Sequence, residues 1–256
     1  MLRSPMQPLS RPEGAFLYKY GSADHLEWLQ PILLKHHVYF PSPPQLNDPQ
    51  DARPRMIVTS KQQALRTIVN PFLAVNARLP VGLLAIHVRN IIDMVDRRDL
   101  EQLAELVTPS FHREMNKHRI YSMTTRPDNE HLWTHYAGEH MGYCLEFLNS
   151  GAPFGFAWTV IYGDDVEIDF CNPDAIDATF LFRKTWRYKP EEEVRILLFP
   201  RGQPHEVTFD PTLLRRLILG RHMTEEHRNK VRTWCSTREP ALTVVEEMAA
   251  LEAVSV

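Results

Sequence analysis

Apolar residues come first in short runs closed by turn formers. Phe16-Leu17-Tyr18-Lys19-Tyr20 ends at Gly21 and reads as a buried strand entering a turn. Ser22 or Asp24 can then cap a helix that carries Leu26, Leu29, Ile32 and Leu33 at spacings of three and four, with Pro31 inside it. Val38-Tyr39-Phe40 predicts a second strand, stopped by prolines at 41, 43 and 44, and Leu46-Asn47-Asp48-Pro49 predicts a turn. From 60 to 106 the period becomes helical, with Pro71 and Pro80 as expected breaks, so this block reads as a helical insertion after the second strand and a candidate for substrate or partner recognition. Strand patterns return after Pro109: Ile120 to Thr124, Gly142 to Phe147, Trp158 to Tyr162 and Glu193 to Phe199. Val207 to Phe209, Leu217 to Leu219 and Leu242 to Val245 are shorter strand candidates. Helices are expected over Glu130 to Ala137, Ala175 to Lys184 and Glu225 to Trp234. The expectation is an α+β fold, a mixed, bent β-sheet with surrounding helices. It forms a single domain over 16–256 behind a flexible arm at 1–15, without internal repeats.

Composition excludes more than it assigns. Apolar residues are 43% and charged residues 24% of 256, ordinary for a globular chain. A net charge of −3 with scattered basic residues implies no nonspecific nucleic-acid surface. No apolar stretch is long enough to cross a bilayer, and Met1 to Gly14 holds no signal-peptide core. Cys144, Cys171 and Cys235 lack CxxC spacing and read as buried thiols of a reducing, cytoplasmic compartment.

Four clusters together resemble a widespread bacterial family catalogued as domain of unknown function 2971. They are Leu17-Tyr18-Lys19-Tyr20; Val38-Tyr39-Phe40 with Leu46-Asn47-Asp48-Pro49; Tyr121-Ser122-Met123 with Leu132-Trp133-Thr134-His135-Tyr136-Ala137 and Gly142 to Phe147; and Lys184, Trp186 and Tyr188 with Glu191, Glu193, Val194 and Arg195. The insertion is larger than that family's, and Lys189-Pro190 lengthens the approach to the glutamates. The resemblance implies no activity, so function rests on the site residues.

Glu191 and Glu193, two apart on a strand, would point to one side of the sheet and need a cation, with Arg195 the nearest. One reading is a structural Glu–Arg pair. The other is a carboxylate that holds a ribose hydroxyl beside an oxocarbenium-like centre. The layout is similar to that of ADP-ribosyltransferases, with a basic residue among aromatics on the first strand, a Ser-x-Ser-like strand and a late Glu-x-Glu. That resemblance puts NAD forward as candidate substrate, Glu193, Glu191 and Ser122 in the reaction, and Tyr18, Lys19, Tyr20, Asn47, Asp48, Trp133, His135, Tyr136 and Arg195 around the ligand. Lys19 stands where those enzymes place Arg or His. Trp133, His135 and Tyr136 would line the pocket, and Asn47-Asp48-Pro49 is either cleft or brace. Two alternatives remain: a non-catalytic module binding a nucleotide or protein segment, and a metal-dependent hydrolase on His131 and His135. No metal is expected, because the HLWTH segment lacks the metalloprotease glutamate.

Overall fold

The computed structural model describes residues 9–48, 51–163, 167–172, 178–199, 205–247 and 250. The fold is α+β. Its main sheet contains β1 (Phe16–Gly21), β4 (Arg119–Thr124), β5 (Tyr143–Leu148), β6 (Trp158–Thr159), β10 (Glu193–Leu198), β12 (Leu214–Leu219) and β13 (Thr243–Glu246). Their order across the sheet is β13-β12-β5-β1-β4-β10-β6. Only the β12–β13 pairing in this sheet is parallel, so it is mixed.

Alternation along the strands gives the sheet two distinct faces. Leu17, Tyr121, Met123, Leu145, Phe147, Val194 and Ile196 join the largest core, with Leu26, Leu29, Ile32 and Leu33 of α1 (Leu26–Lys35) and Val231 and Cys235 of α6 (Glu225–Thr237). The opposite face carries two smaller clusters. One packs Tyr18, Tyr20, Cys144 and Ile218 under Leu132 and Trp133 of α5 (Glu130–His135). The other packs Ile120 and Leu197 under Phe111 and Met115 of α4 (Leu100–Met115). Between these clusters lies a polar strip that holds the candidate site.

Several expectations change. The second strand, β2 (His37–Tyr39), pairs with β11 (Glu206–Thr208) outside the main sheet. A further strand, β3 (Arg55–Ile57), precedes the insertion and pairs in parallel with β8 (Glu167–Asp169). The insertion runs through α2 (Lys61–Val75), α3 (Val81–Asp96) and α4, ending at Met115 rather than near 106. Pro71 and Pro109 lie inside helices. Both are exposed, so water can satisfy the carbonyl each deprives of its bond. The run Trp158 to Tyr162 divides between β6 and β7 (Ile161–Gly163), and β7 pairs with β9 (Arg183–Thr185). Of the helix expected over Ala175 to Lys184, the start lies outside the described residues, Ala178–Phe182 is a 3-10 turn and the end is β9. Pro49 of the expected turn is also outside them. The described part of the N-terminal arm is docked: Arg11 donates to the Gly155 carbonyl at 3.0 Å and lies over the Trp158 ring at 4.0 Å.

Ser22 and Asn129 act as helix-entry caps, each accepting from a backbone N–H of the first turn. Gly142 is required for packing, since a Cβ there would run into the carbonyls of Gly21 and Ala137. Gly142→Ala is therefore expected to lower stability by about 2 kcal/mol, read as a lower urea midpoint with an unchanged slope.

Candidate functional site

β10 follows a 3-10 turn, Trp186–Glu191, and Glu192 joins the two in the left-handed region at φ 45°. Glu191 is thus on the turn and not on the strand, a correction to the same-strand expectation. The two carboxylates nevertheless converge, because Lys184 of β9 reaches between them, 2.6 Å from Glu191 Oε2 and 2.8 Å from Glu193 Oε2.

Arg195 completes the network. Its Nε donates to Glu193 Oε1 and its Nη2 to Asp51 Oδ2, each at 2.6 Å, while Nη1 donates to the Leu181 carbonyl at 2.6 Å. Arg195 is fully buried and Glu193 is 3% exposed. Three carboxylates, of Asp51, Glu191 and Glu193, therefore face two cations, Lys184 and Arg195. Burial alone would raise the Glu193 carboxyl pKa, but the adjacent guanidinium and ammonium overturn that and hold it far below the ordinary carboxylate range. Asp51 Oδ1 is buried without a hydrogen-bond partner among the described residues. Tyr136 donates to Glu191 Oε1 at 2.7 Å, and the Tyr162 hydroxyl accepts from the Glu193 N–H at 2.7 Å.

The central hydroxyls lie beside this network. Tyr18 is opposite Thr124, and Thr124 opposite Glu193, so the three form one row across β1, β4 and β10, with Ser122 next to Arg195. Tyr18, however, turns its hydroxyl away to Glu146 Oε2 at 3.1 Å, a carboxylate also held by Arg216. Beyond the Tyr18–Thr124 pair β1 and β4 part, although β1 stays paired with β5 along its whole length.

Lys19 occupies that parting. By alternation it leaves β1 on the face opposite Tyr18 and Tyr20, so the lysine–tyrosine edge expected from sequence is divided between two faces. Glu193 turns its own N–H and C=O toward Tyr162 and Val160, which directs the Ser122 carbonyl across β4 toward β1. There it accepts from the Lys19 ammonium at 2.8 Å, and that ammonium lies 5.0 Å from the Tyr121 ring centroid. Burial lowers the Lys19 pKa to about 8 against the pull of Glu193 and Glu191.

Other expected ligand contacts are structural. Trp133 is 1% exposed, donates to the Pro127 carbonyl at 3.0 Å and stands edge-on to Tyr20, so it is core and not a pocket wall. The Tyr20 hydroxyl donates to the Arg126 carbonyl at 2.9 Å. Asp48 is buried and pairs with Arg187 at 3.2 Å, while Asn47 is exposed, which makes their turn a brace. His131 and His135 pair with ring centroids 4.4 Å apart, His135 being exposed. Among the described residues no group of three or more His, Cys, Asp or Glu is arranged to hold a metal. All three cysteines are buried and free.

Sequence reasoning assigned no role to Lys184, Asp51 or Tyr162. Lys184 carries a weak signal as part of the Lys184-x-Trp186 cluster, whereas Asp51 is 144 residues from Arg195 and carries none. Comparisons with family models, curated proteins and solved structures return no match.

Two predictions follow from this geometry. Glu193→Gln leaves two buried cations short of a carboxylate and is expected to cost about 3–5 kcal/mol. Chemical denaturation at neutral pH reads that loss. It should shrink as pH falls below the ordinary carboxylate value of 4.5, because the group's stabilisation fades as pH drops toward its depressed folded pKa. For Lys19 the pH slope has the same sign, because its folded pKa is lowered too, but it falls in the alkaline range. Between about 8 and its ordinary 10.5 the folded protein has released a proton that the unfolded chain keeps, so wild type should gain stability relative to Lys19→Met from pH 8 to 10. A difference that stays flat over that range contradicts the assignment.

Proposed function

We propose that the protein is a nucleotide-binding module, with NAD as a candidate ligand, and that Glu193 and Arg195 are its scaffold. One observation carries this reading: both Glu193 oxygens already accept hydrogen bonds from buried cations, so the group best placed for oxocarbenium chemistry is engaged by the protein itself. What remains to meet a ligand is the unpartnered Asp51 oxygen and the side chain of Ser122. Ribose hydroxyls are suitable donors to such a carboxylate, and the half-buried ring of Tyr136 offers a face on which a base can stack. The cluster's excess of one carboxylate favours the hydroxyl-rich and cationic parts of a dinucleotide over its phosphates.

A second reading, glycosyl transfer from NAD, is favoured by the row formed by Tyr18, Thr124 and Glu193 on adjacent strands. It requires Lys184 to release the glutamates. The hydrolase alternative has no third metal ligand among the described residues to support it.

Melting curves with NAD, ATP and their fragments separate the first two readings. A binding module is stabilised by nucleotide, returns NAD intact, and binds roughly 5–10-fold more weakly as Ser122→Ala, the loss expected for one hydrogen bond between neutral groups. Release of nicotinamide by wild type, abolished in a folded Glu193→Gln protein, would instead establish transfer chemistry. No stabilisation by any of these ligands removes both.

A further inference from the structure

A second buried ionisable cluster, centred on His140, contains contacts that cannot all be hydrogen bonds at once. His140 follows Gly138 and Glu139 in a loop whose three residues all lie in the left-handed region, at φ 64°, 57° and 55°. Its backbone is fixed there, the N–H by the Trp133 carbonyl and the C=O by the His222 N–H. The side chain is 4% exposed, and Nδ1 lies 2.8 Å from Glu247 Oε1. Glu247, 1% exposed, also accepts from the Arg221 N–H at 2.9 Å and from Arg221 Nη1 at 3.1 Å. It is thus an ionised acceptor, and the imidazole must carry a proton on Nδ1.

The conflict is at Nε2, which is 2.9 Å from Arg221 Nη2 and 3.0 Å from Glu130 Oε1. A guanidinium only donates and a carboxylate only accepts. A bare Nε2 therefore bonds Arg221 and repels an ionised Glu130, and a protonated Nε2 does the reverse. His140 and Glu247 are closed in, whereas Glu130 is 70% and Arg221 35% exposed, so either of the latter can swing into water when Nε2 changes state. The remaining ionisable neighbours are otherwise engaged. His222 stands edge-on to the His140 ring at 5.7 Å and is tied to the Glu139 carbonyl, and the Glu139 side chain, next in the loop, is exposed. Arg228 of α6 is taken up by Glu246 and the Gly220 carbonyl, and burial keeps Cys144 of β5 a thiol.

We propose that His140 is a proton-driven switch. Deprotonated, it holds Arg221; protonated, it releases Arg221 and ties Glu130, the first residue of α5, to Glu247 beyond β13. Imidazole is the side chain that ordinarily changes charge between about pH 5 and 8. Because α5 leads directly into Tyr136, the added tie tightens the helix that carries a neighbour of the candidate site. The switch does not depend on which ligand that site takes.

Crystal structures at about pH 5.5 and about pH 8.5, on either side of that range, test the exchange. At the lower pH Glu130 should remain on Nε2 with Arg221 turned away, and at the higher pH the reverse. Urea denaturation provides a reading in solution. Glu130 stabilises only the protonated ring, a contribution present below the imidazole's unfolded pKa and lost as pH rises. Glu130→Gln should therefore raise the unfolding constant roughly threefold at about pH 5.5 and have much less effect at about pH 8.5. Arg221→Gln also loses contacts to Glu247, so it should destabilise at both, and more at the higher pH. Identical contacts at the two pH values overturn the proposal, as do losses in the two variants that do not change with pH.

Discussion

The buried ion network of Arg195, Glu193, Lys184, Glu191 and Asp51 is the constraint on which the site's geometry depends. Taking each charge out of water costs several kcal/mol, and the cost is offset only where every charge has close partners with good geometry. Arg195 meets this condition through two carboxylates and a carbonyl, each at 2.6 Å. Those partners come from β10, from the segment at Asp51 and from the 3-10 turn before β9, so one guanidinium fixes three otherwise separate pieces of chain. Lys184 fixes a fourth by joining the turn that carries Glu191 to the strand that carries Glu193.

Beside this network the sheet parts between β1 and β4. On the polar strip between the two smaller apolar clusters, Thr124 and Ser122 neighbour charged residues, and hydrophobic packing there does not draw β1 onto β4. The Ser122 carbonyl is satisfied by an ammonium in place of a ladder N–H. A lysine at this position can retract without unpairing a strand, whereas a regular ladder bond cannot.

Periodicity made most of the scaffold legible. The apolar stripe of α1, the alternation of β1, β4, β5 and β10, and the helical insertion are all readable because burial on a regular element repeats every two or 3.6 residues. What could not be read lacks such a period. Pro109 was expected at a boundary, since sequence does not say whether the carbonyl four residues back will face water. Trp158 to Tyr162 reads as one strand, though two different sheets compete for its halves. The candidate site was half legible: Glu191, Glu193 and Arg195 announce themselves by proximity, but Lys184 and Asp51 reach them from irregular segments. Tyr18 and Lys19 show the limit in the other direction. As neighbours in sequence they invite a shared role, and strand alternation sends them to opposite faces.

Segregation of charge within the chain joins these observations. Charges are drawn into a sheet face where they neutralise one another, and they are nearly lacking from the distal α2–α3 hairpin, where apolar groups are left to solvent. In a protein shaped only by its own stability, the opposite distribution would be favoured: apolar groups inside, where each buried methylene contributes about 0.8 kcal/mol, and charges outside, where hydration is free of cost. Departures from that distribution at two separate places call for two separate causes. The buried charges are accounted for by the positioning of irregular chain around a polar strip. The apolar side chains left open on the α2–α3 hairpin have no part in that positioning, so their substitution leaves the polar strip unchanged.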